Sequence, residues 1–115
     1  MLESVTATAL SSALDGLSLR QRAIADNIAN INTPGYHAKR VQFEDALRSA
    51  IADGTGAVDA TVERSLEPTR LNGNNLNLDT ETLSNIDTVL RFQFASQALD
   101  GQASSISKAI GQASA

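Results

Sequence analysis

Apolar side chains recur at helical spacing in a long stretch at each end of the chain. Between residues 4 and 32 this spacing predicts one helix with a continuous apolar stripe of the coiled-coil kind. Gly16 interrupts it, and a glycine inside a helix costs roughly 1 kcal/mol relative to alanine, so we expect a bend or a weak point there. Thr33-Pro34-Gly35 predicts a firm helix end, because proline disfavours the α conformation of the residue before it. The members of the stripe are Ala7, Leu10, Leu14, Leu17, Ile24, Ile28 and Ile31.

A second long helix is predicted from Asp79 onward. The Asp79 carboxylate suits an N-cap, and Glu81 places negative charge in the first turn. Two adjacent apolar stripes follow and form a face wide enough for more than one neighbour. One stripe consists of Leu83, Ile86, Leu90 and Phe94, and the other of Val89, Phe92, Ala95, Leu99, Ile106 and Ile110.

The pattern between the two helices is irregular. We expect a short helix near residues 41–52, a turn at Asn72-Gly73 that favours a short β-hairpin, and a flexible connector at "DGTGAV". The segment is expected to become ordered only on contact with something else. The fold class is therefore all-α, with paired N- and C-terminal helices and a loop-rich middle. The expected organisation is one elongated domain made of residues 1–35, 36–78 and 79–115.

Composition and charge exclude several classes of function. The chain has 115 residues, 3% aromatic residues, no cysteine and a net charge of −4. The acidic balance argues against binding to nucleic acid or to an anionic membrane surface. No apolar run is long enough to span a bilayer, and the first residues lack the positive region of a secretory signal. Taken alone, these features indicate a cytoplasmic protein.

Candidate catalytic and metal-binding groups are isolated. His37 is the only histidine, whereas a metal site needs several converging ligands. Glu44-Asp45 is best explained as part of a solvated helix face, and no serine has a suitable base or a strained turn. The sequence therefore predicts no enzyme activity, no cofactor and no small-molecule substrate.

The asparagines in "NIANINTPGY" have two possible explanations. In the local one, Asn30 and Asn32 bind carbonyl groups of the last helical turn. In the other, Asn27 and Asn30, which are three residues apart on one helix face, are buried and hydrogen-bond another chain. The residues alone favour the local explanation.

A family resemblance changes that balance. "DNIANINTPGYHAK" resembles the N-terminal signature of flagellar rod, hook and filament-junction proteins, and "NGNNLNLDTETL", Arg91-Phe92-Gln93 and "ISKAIG" resemble proximal rod proteins of that family. The resemblance covers residues 1–48 and 70–112. Ile31, His37 and Phe92 depart from the usual pattern. The signature positions are filled by Asn27, Asn30, Thr33, Pro34, Gly35 and Tyr36.

The resemblance implies a structural subunit of the proximal basal-body rod. Such proteins pair their terminal helices around a hollow tube that transmits torque and passes exported subunits. The implied partners are copies of the chain, other rod subunits, ring or adaptor proteins at the rod base, and the export apparatus. Export without a cleaved signal would place the protein in the periplasm and replace the cytoplasmic interpretation. The amides of Asn27 and Asn30 are then expected to be buried in contacts that only the assembled tube supplies.

The predicted subunit interface draws on both helices and on the turn. A rival hypothesis is a soluble cytosolic adaptor or export chaperone that binds a partner's amphipathic helix. The predicted interface residues are Leu10, Leu14, Leu17, Ile24, Asn27, Ile28, Asn30, Ile31, Thr33, Pro34, Gly35, Tyr36, Leu83, Ile86, Leu90, Phe92, Phe94, Leu99, Ile106 and Ile110.

Overall fold

The computed structural model describes residues 2–113. The last two residues of the predicted segment 79–115 therefore lie outside the described residues. The side chain of Ile106, a predicted interface residue, is also outside the described part of the structure. The molecule is elongated, with extents of 68 × 25 × 14 Å. In chain order the elements are α1 (Leu2–Ala29), β1 (Lys39–Val41), α2 (Glu44–Ala52), β2 (Val62–Arg64) and α3 (Leu78–Ala113).

Helices α1 and α3 pack against each other along their length, which confirms the predicted all-α pairing. They run antiparallel, because Asn27 meets Glu81 near one end while Ala13 and Ala98 border the same groove further along. Leu17 on α1 is buried in the core, and Phe92 on α3 packs against that core. Among the described residues, no helix has the length and apolarity needed to cross a membrane.

Phe43 explains the glycine in the middle of α1. Its ring is buried with Leu17, Ala23 and Val41, and it lies so close to Gly16 that a Cβ there would stand 2.6 Å from the ring. The helix continues through Gly16. The glycine therefore provides space for an aromatic ring between α1 and the start of α2.

The two short strands differ from the predicted hairpin. β1 and β2 pair antiparallel, with Val41 opposite Val62, and α2 lies between them in the chain. Asn72-Gly73 forms a turn, with φ of 82° at Gly73, but it joins no strands. Val41, predicted at the start of the short helix, belongs to β1, because its buried β-branched side chain suits a paired strand.

The predicted flexible connector is docked on α1. Ser12 Oγ donates to the Gly56 carbonyl at 2.9 Å and accepts from the Val58 N–H at 3.2 Å. Gly56 has φ of 68°, and its Cα lies so near the α1 main chain that a Cβ would be 2.7 Å from the Val5 carbonyl oxygen. The prediction of a free connector is wrong, since one hydroxyl of α1 satisfies both a donor and an acceptor of the loop.

The start of α3 also differs from the prediction. Asn77 Oδ1 accepts from the N–H groups of Asp79 at 2.9 Å and Thr80 at 3.3 Å, so Asn77, and not Asp79, is the N-cap. Asparagine and aspartate cap equally well. The helix begins one residue before Asp79, which therefore lies in the first turn.

Candidate functional site at the helix junction

The end of α1 is closed by local hydrogen bonds. Asn30 Nδ2 donates to the Asp26 carbonyl at 2.7 Å, and Thr33 Oγ1 donates to Asn30 Oδ1 at 3.0 Å. Gly35 takes φ of 74°, which a side chain would strain. The local explanation is therefore confirmed for Asn30, and the expectation that only the assembled tube satisfies its amide is wrong. Asn32 is exposed.

Asn74 completes the end of α1 from the other half of the chain. Its side chain is fully buried, and Nδ2 lies 2.8 to 3.3 Å from the carbonyl oxygens of Asn30, Ile31 and Thr33. Its Oδ1 accepts from the Leu76 N–H at 2.7 Å and from the Arg70 guanidinium at 3.0 Å. One asparagine thus satisfies carbonyls that a helix end otherwise leaves unpaired.

Asn75 holds the neighbouring loop in the same way. Its Oδ1 accepts from the Ala38 N–H at 2.6 Å, and Nδ2 donates to the carbonyls of Ser65 and Glu67, each at 3.2 Å. The Asn-rich run therefore has a structural explanation: Asn74 caps α1, Asn75 fixes the loop and Asn77 caps α3.

A buried carboxylate lies where α1, β1 and α3 meet. Glu81 is fully buried, and its two oxygens accept from Arg40 Nη1 at 2.7 Å and from Asn27 Nδ2 at 3.0 Å. Asn27 is also fully buried, and it exchanges two hydrogen bonds with the Lys39 main chain at 2.8 and 3.0 Å. We refer to Asn27, Arg40 and Glu81 as the Glu81 cluster.

This geometry corrects the prediction for Asn27. Its oxygen and both amide hydrogens are used within the chain, so the expectation that a neighbouring subunit satisfies it is wrong. Glu81 was predicted only as a first-turn charge, and its burial was missed. The sequence offers only a weak indication of this buried pair: an asparagine near the end of the first long helix, Asn27, occurs together with a glutamate near the start of the second.

A second ion pair borders the Phe43 ring. Arg20 contacts Glu44 at 2.6 Å, and its guanidinium lies 5.1 Å from the centre of the ring. Burial raises the pKa of Glu44, but hydrogen bonds from Arg20 and from the N–H groups of Glu44 and Phe43, with the charge of Arg20, lower that pKa to about 2. Nearby, a hydrogen bond to Asp26 is the main cause of the raised pKa of Lys39.

Large apolar side chains remain uncovered along α3. Leu83 is 67% exposed, Ile86 53%, Leu90 50% and Phe94 71%. Their spacing of three and four residues places them on one side of α3, opposite the side of Phe92 that packs on the core. We call these four residues the α3 stripe. At Phe94 it borders an apolar groove between the three helices, also lined by Leu10, Ala13, Leu17, Leu47, Ala95 and Ala98.

The predicted interface residues fall into three groups by exposure. The buried ones are Leu17, Ile24 and Asn27, and the half-buried ones are Leu10, Leu14, Asn30, Ile31, Tyr36, Phe92 and Leu99. The exposed ones are Ile28, Thr33, Pro34, Gly35, Leu83, Ile86, Leu90, Phe94 and Ile110. Among the residues that the structure describes, no group of His, Cys, Asp and Glu is arranged to hold a metal ion.

Comparison with known proteins gives the class of protein. The model of the family described as "Flagella basal body rod protein" matches residues 8–37, which include most of α1 and the turn after it. The part of the chain that contains most of α1 and its asparagine turn is thus similar to flagellar basal body rod proteins.

Relatives narrow this class to one kind of rod protein. "Flagellar basal body rod protein FlgB" of Escherichia coli is 30% identical over an alignment that covers 78% of this chain and 81% of the relative. FlgB of Bacillus subtilis is 27% identical, with 91% and 92% covered. FlgB of Borrelia hermsii is 42% identical over 57% of this chain, and the matched part is 42% of that relative. The chain belongs to the FlgB family of flagellar basal body rod proteins.

Proposed function

We propose that this chain is a structural subunit that assembles, with its own copies and other rod subunits, into the hollow helical rod of the flagellar basal body. The rod would act as the drive shaft that transmits torque and would let exported subunits pass. At its base it would contact ring or adaptor proteins in the periplasm, which it would reach through the export apparatus.

The α3 stripe is the observation that carries this proposal. It extends over the 12 residues from Leu83 to Phe94, or about 17 Å, and all four side chains are at least half exposed. Fully burying a leucine or phenylalanine stabilises by about 1.5–3 kcal/mol, so an uncovered stripe is a strong site for association. Because α1 covers only the other side of α3, the stripe is available to a neighbouring subunit.

The type of contact follows from where the apolar groups lie. Phe94 belongs to both the stripe and the groove, but Leu83, Ile86 and Leu90 do not line the groove. The contact is heterologous if these side chains of one copy pack on another surface of the next. Repetition of a heterologous contact gives a ring or an open helical array. A hollow rod requires the helical alternative.

The proposal is tested by placing a charge on the stripe. Leu90→Asp and Ile86→Asp are expressed in a strain that lacks the native protein, and Asn85→Asp, at an exposed polar position of α3 that is not on the side of the stripe, is the matched control. We expect the two stripe variants to keep the helical content of the purified chain but to be absent from isolated hook–basal bodies, with loss of swimming. The control variant should swim.

Two results would contradict the proposal. Normal swimming with both stripe variants would mean that the stripe is not an assembly surface. Recovery of the native chain only in the cytosol, and not in hook–basal bodies, would favour a cytosolic adaptor that binds a partner's helix.

A further inference from the structure

The Glu81 cluster joins three elements through one carboxylate. Asn27 comes from α1, Arg40 from β1 and Glu81 from the first turn of α3. The carboxylate has no exposure to solvent, and its cationic partner is Arg40, whose other terminal nitrogen lies 3.8 Å from Glu67. A carboxylate this deep is tolerated because each oxygen accepts a hydrogen bond.

The apolar contacts between α1 and α3 specify the position of α3 weakly. Small and similar side chains recur along the contact, such as Ala13 and Ala23 on α1 and Ala95 on α3. If α3 slid by one helical turn, about 5.4 Å, a smaller apolar side chain, Val89 or Ala95, would take the place of Phe92, and the contact would remain apolar. Apolar packing of this kind favours association of the helices more than it selects one register.

The Glu81 cluster distinguishes between registers sharply. After a slide of one turn, Glu81 would lose both Asn27 and Arg40 and remain buried without a partner, which is strongly destabilising. A single buried polar residue fixes the register of some coiled coils for this reason. We propose that the Glu81 cluster is a register lock, in which Asn27 and Arg40 are positioning residues that hold α3 at one place along α1.

The lock determines which surface the subunit presents to its neighbours. The α3 stripe begins at Leu83, two residues after Glu81, so the lock sets its position relative to α1 and α2. This consequence for assembly rests on the proposed rod function. The register itself is a property of the single chain and can be measured without a flagellum.

The absence of cysteine makes that measurement direct. Spin labels are attached to cysteines introduced at two exposed positions, Asp15→Cys on α1 and Asn85→Cys on α3, and the distance between them is measured by pulsed electron resonance. The sites are offset along the helix axis, so a slide of α3 changes the distance. The labelled chain with a native cluster is expected to give one distance.

Two variants of the labelled chain separate register from stability. Arg40→Met with Glu81→Leu replaces the buried ion pair with apolar groups, which is often neutral or stabilising, and it leaves in place the two hydrogen bonds of Asn27 to the Lys39 main chain. We expect it to keep its helical content and to show a second distance, displaced by up to about 5 Å. Thr88→Val removes another fully buried polar group of α3, outside the cluster and with nearly unchanged side-chain shape, and we expect one unchanged distance.

Each result is decisive. A single, unchanged distance in the apolar variant would overturn the proposal, because register would then be set elsewhere, first of all by Asn74, which binds the end of α1 three residues before the N-cap of α3. Failure of the apolar variant to fold would also overturn it, because the cluster would then supply stability and not selectivity. Without labels, the apolar variant should fail to support swimming, and Thr88→Val should support it. If instead the labels report the second distance while the α3 stripe variants swim normally, the lock stands and the proposed function fails.

Discussion

Because of the contact between Gly16 and Phe43, we expect the same substitution, glycine to alanine, to change the free energy of unfolding differently at two helical sites. Gly16→Ala and Gly101→Ala each replace a glycine inside a long helix, so each gains up to about 1 kcal/mol of helix propensity. At Gly101 a Cβ would meet no atom within 4 Å, so the gain is expected in full. At Gly16 the Cβ would stand 2.6 Å from the Phe43 ring.

The cost at Gly16 follows from how firmly the ring is held. Carbon atoms in good contact are about 3.5–4.0 Å apart, so the Phe43 ring would have to retreat by about 1 Å. It is only 4% exposed, it packs on Leu17 and Val41, and the Arg20 guanidinium lies over it. Overpacking of this kind costs about 1–3 kcal/mol. We therefore expect Gly16→Ala to be neutral or to destabilise by up to about 2 kcal/mol, against stabilisation by Gly101→Ala.

Urea unfolding of the purified chain, followed by circular dichroism, measures both free energies of unfolding. The internal control is the same substitution with a smaller partner: in a Phe43→Leu background, Gly16→Ala should become stabilising, as Gly101→Ala is. If Gly16→Ala stabilises the native background as much as Gly101→Ala does, the ring does not occupy the space at Gly16. The account of the core given above would then be wrong.

Three further outcomes are expected in the same assay. Asn74→Asp should lower the free energy of unfolding by about 2–4 kcal/mol, because it replaces the amide that donates to three carbonyls by a charged acceptor. The control Asn32→Asp, at an exposed position, should change the free energy of unfolding little. Glu44→Gln should cost stability above about pH 5, and the cost should shrink as the pH falls from 4.5 towards 2. The reason is that the ionised form of Glu44, whose pKa is lowered, stabilises the fold, and this contribution is lost when Glu44 is protonated. A cost that does not change with pH would contradict this. Gly56→Ala should expose the docked loop to proteolysis without reducing helical content, since its Cβ would meet the main chain of α1, and unchanged cleavage would argue against that docking.

Periodicity predicted the elements that are long. The stripes at Leu10, Leu14 and Leu17 and at Leu83, Ile86 and Leu90 repeat often enough to identify two helices and to suggest that they pair. The strands escaped prediction because each has three residues, and Val41 pairs with Val62 across a helix. Strands that short carry no period, and their pairing depends on contacts distant in sequence.

The polar junction escaped prediction for a related reason. A glutamate in the first turn of a helix is usually a surface residue that favours the helix dipole, and nothing local distinguishes Glu81 from that case. Its partners Arg40 and Asn27 lie 41 and 54 residues earlier in the chain. Asn74 is similar, because the carbonyls it satisfies belong to the end of α1, 41 to 44 residues away. The asparagine signature was noticed, but its partners became visible only in three dimensions.

Along α1 and α3, several polar side chains are buried and several large apolar side chains are exposed, which reverses the usual arrangement in a folded protein. The largest fully buried side chains are Glu81, Asn27, Asn74 and Thr88, while Phe94 and several leucines are exposed. Buried polar groups select one geometry, because each needs a particular partner, and exposed apolar groups supply affinity that is not directional. A subunit that must meet its neighbours in one orientation needs both, and this chain separates them. In the proposed assembly, its polar groups fix the relation of α1 to α3 inside, and its apolar stripe meets the next subunit outside.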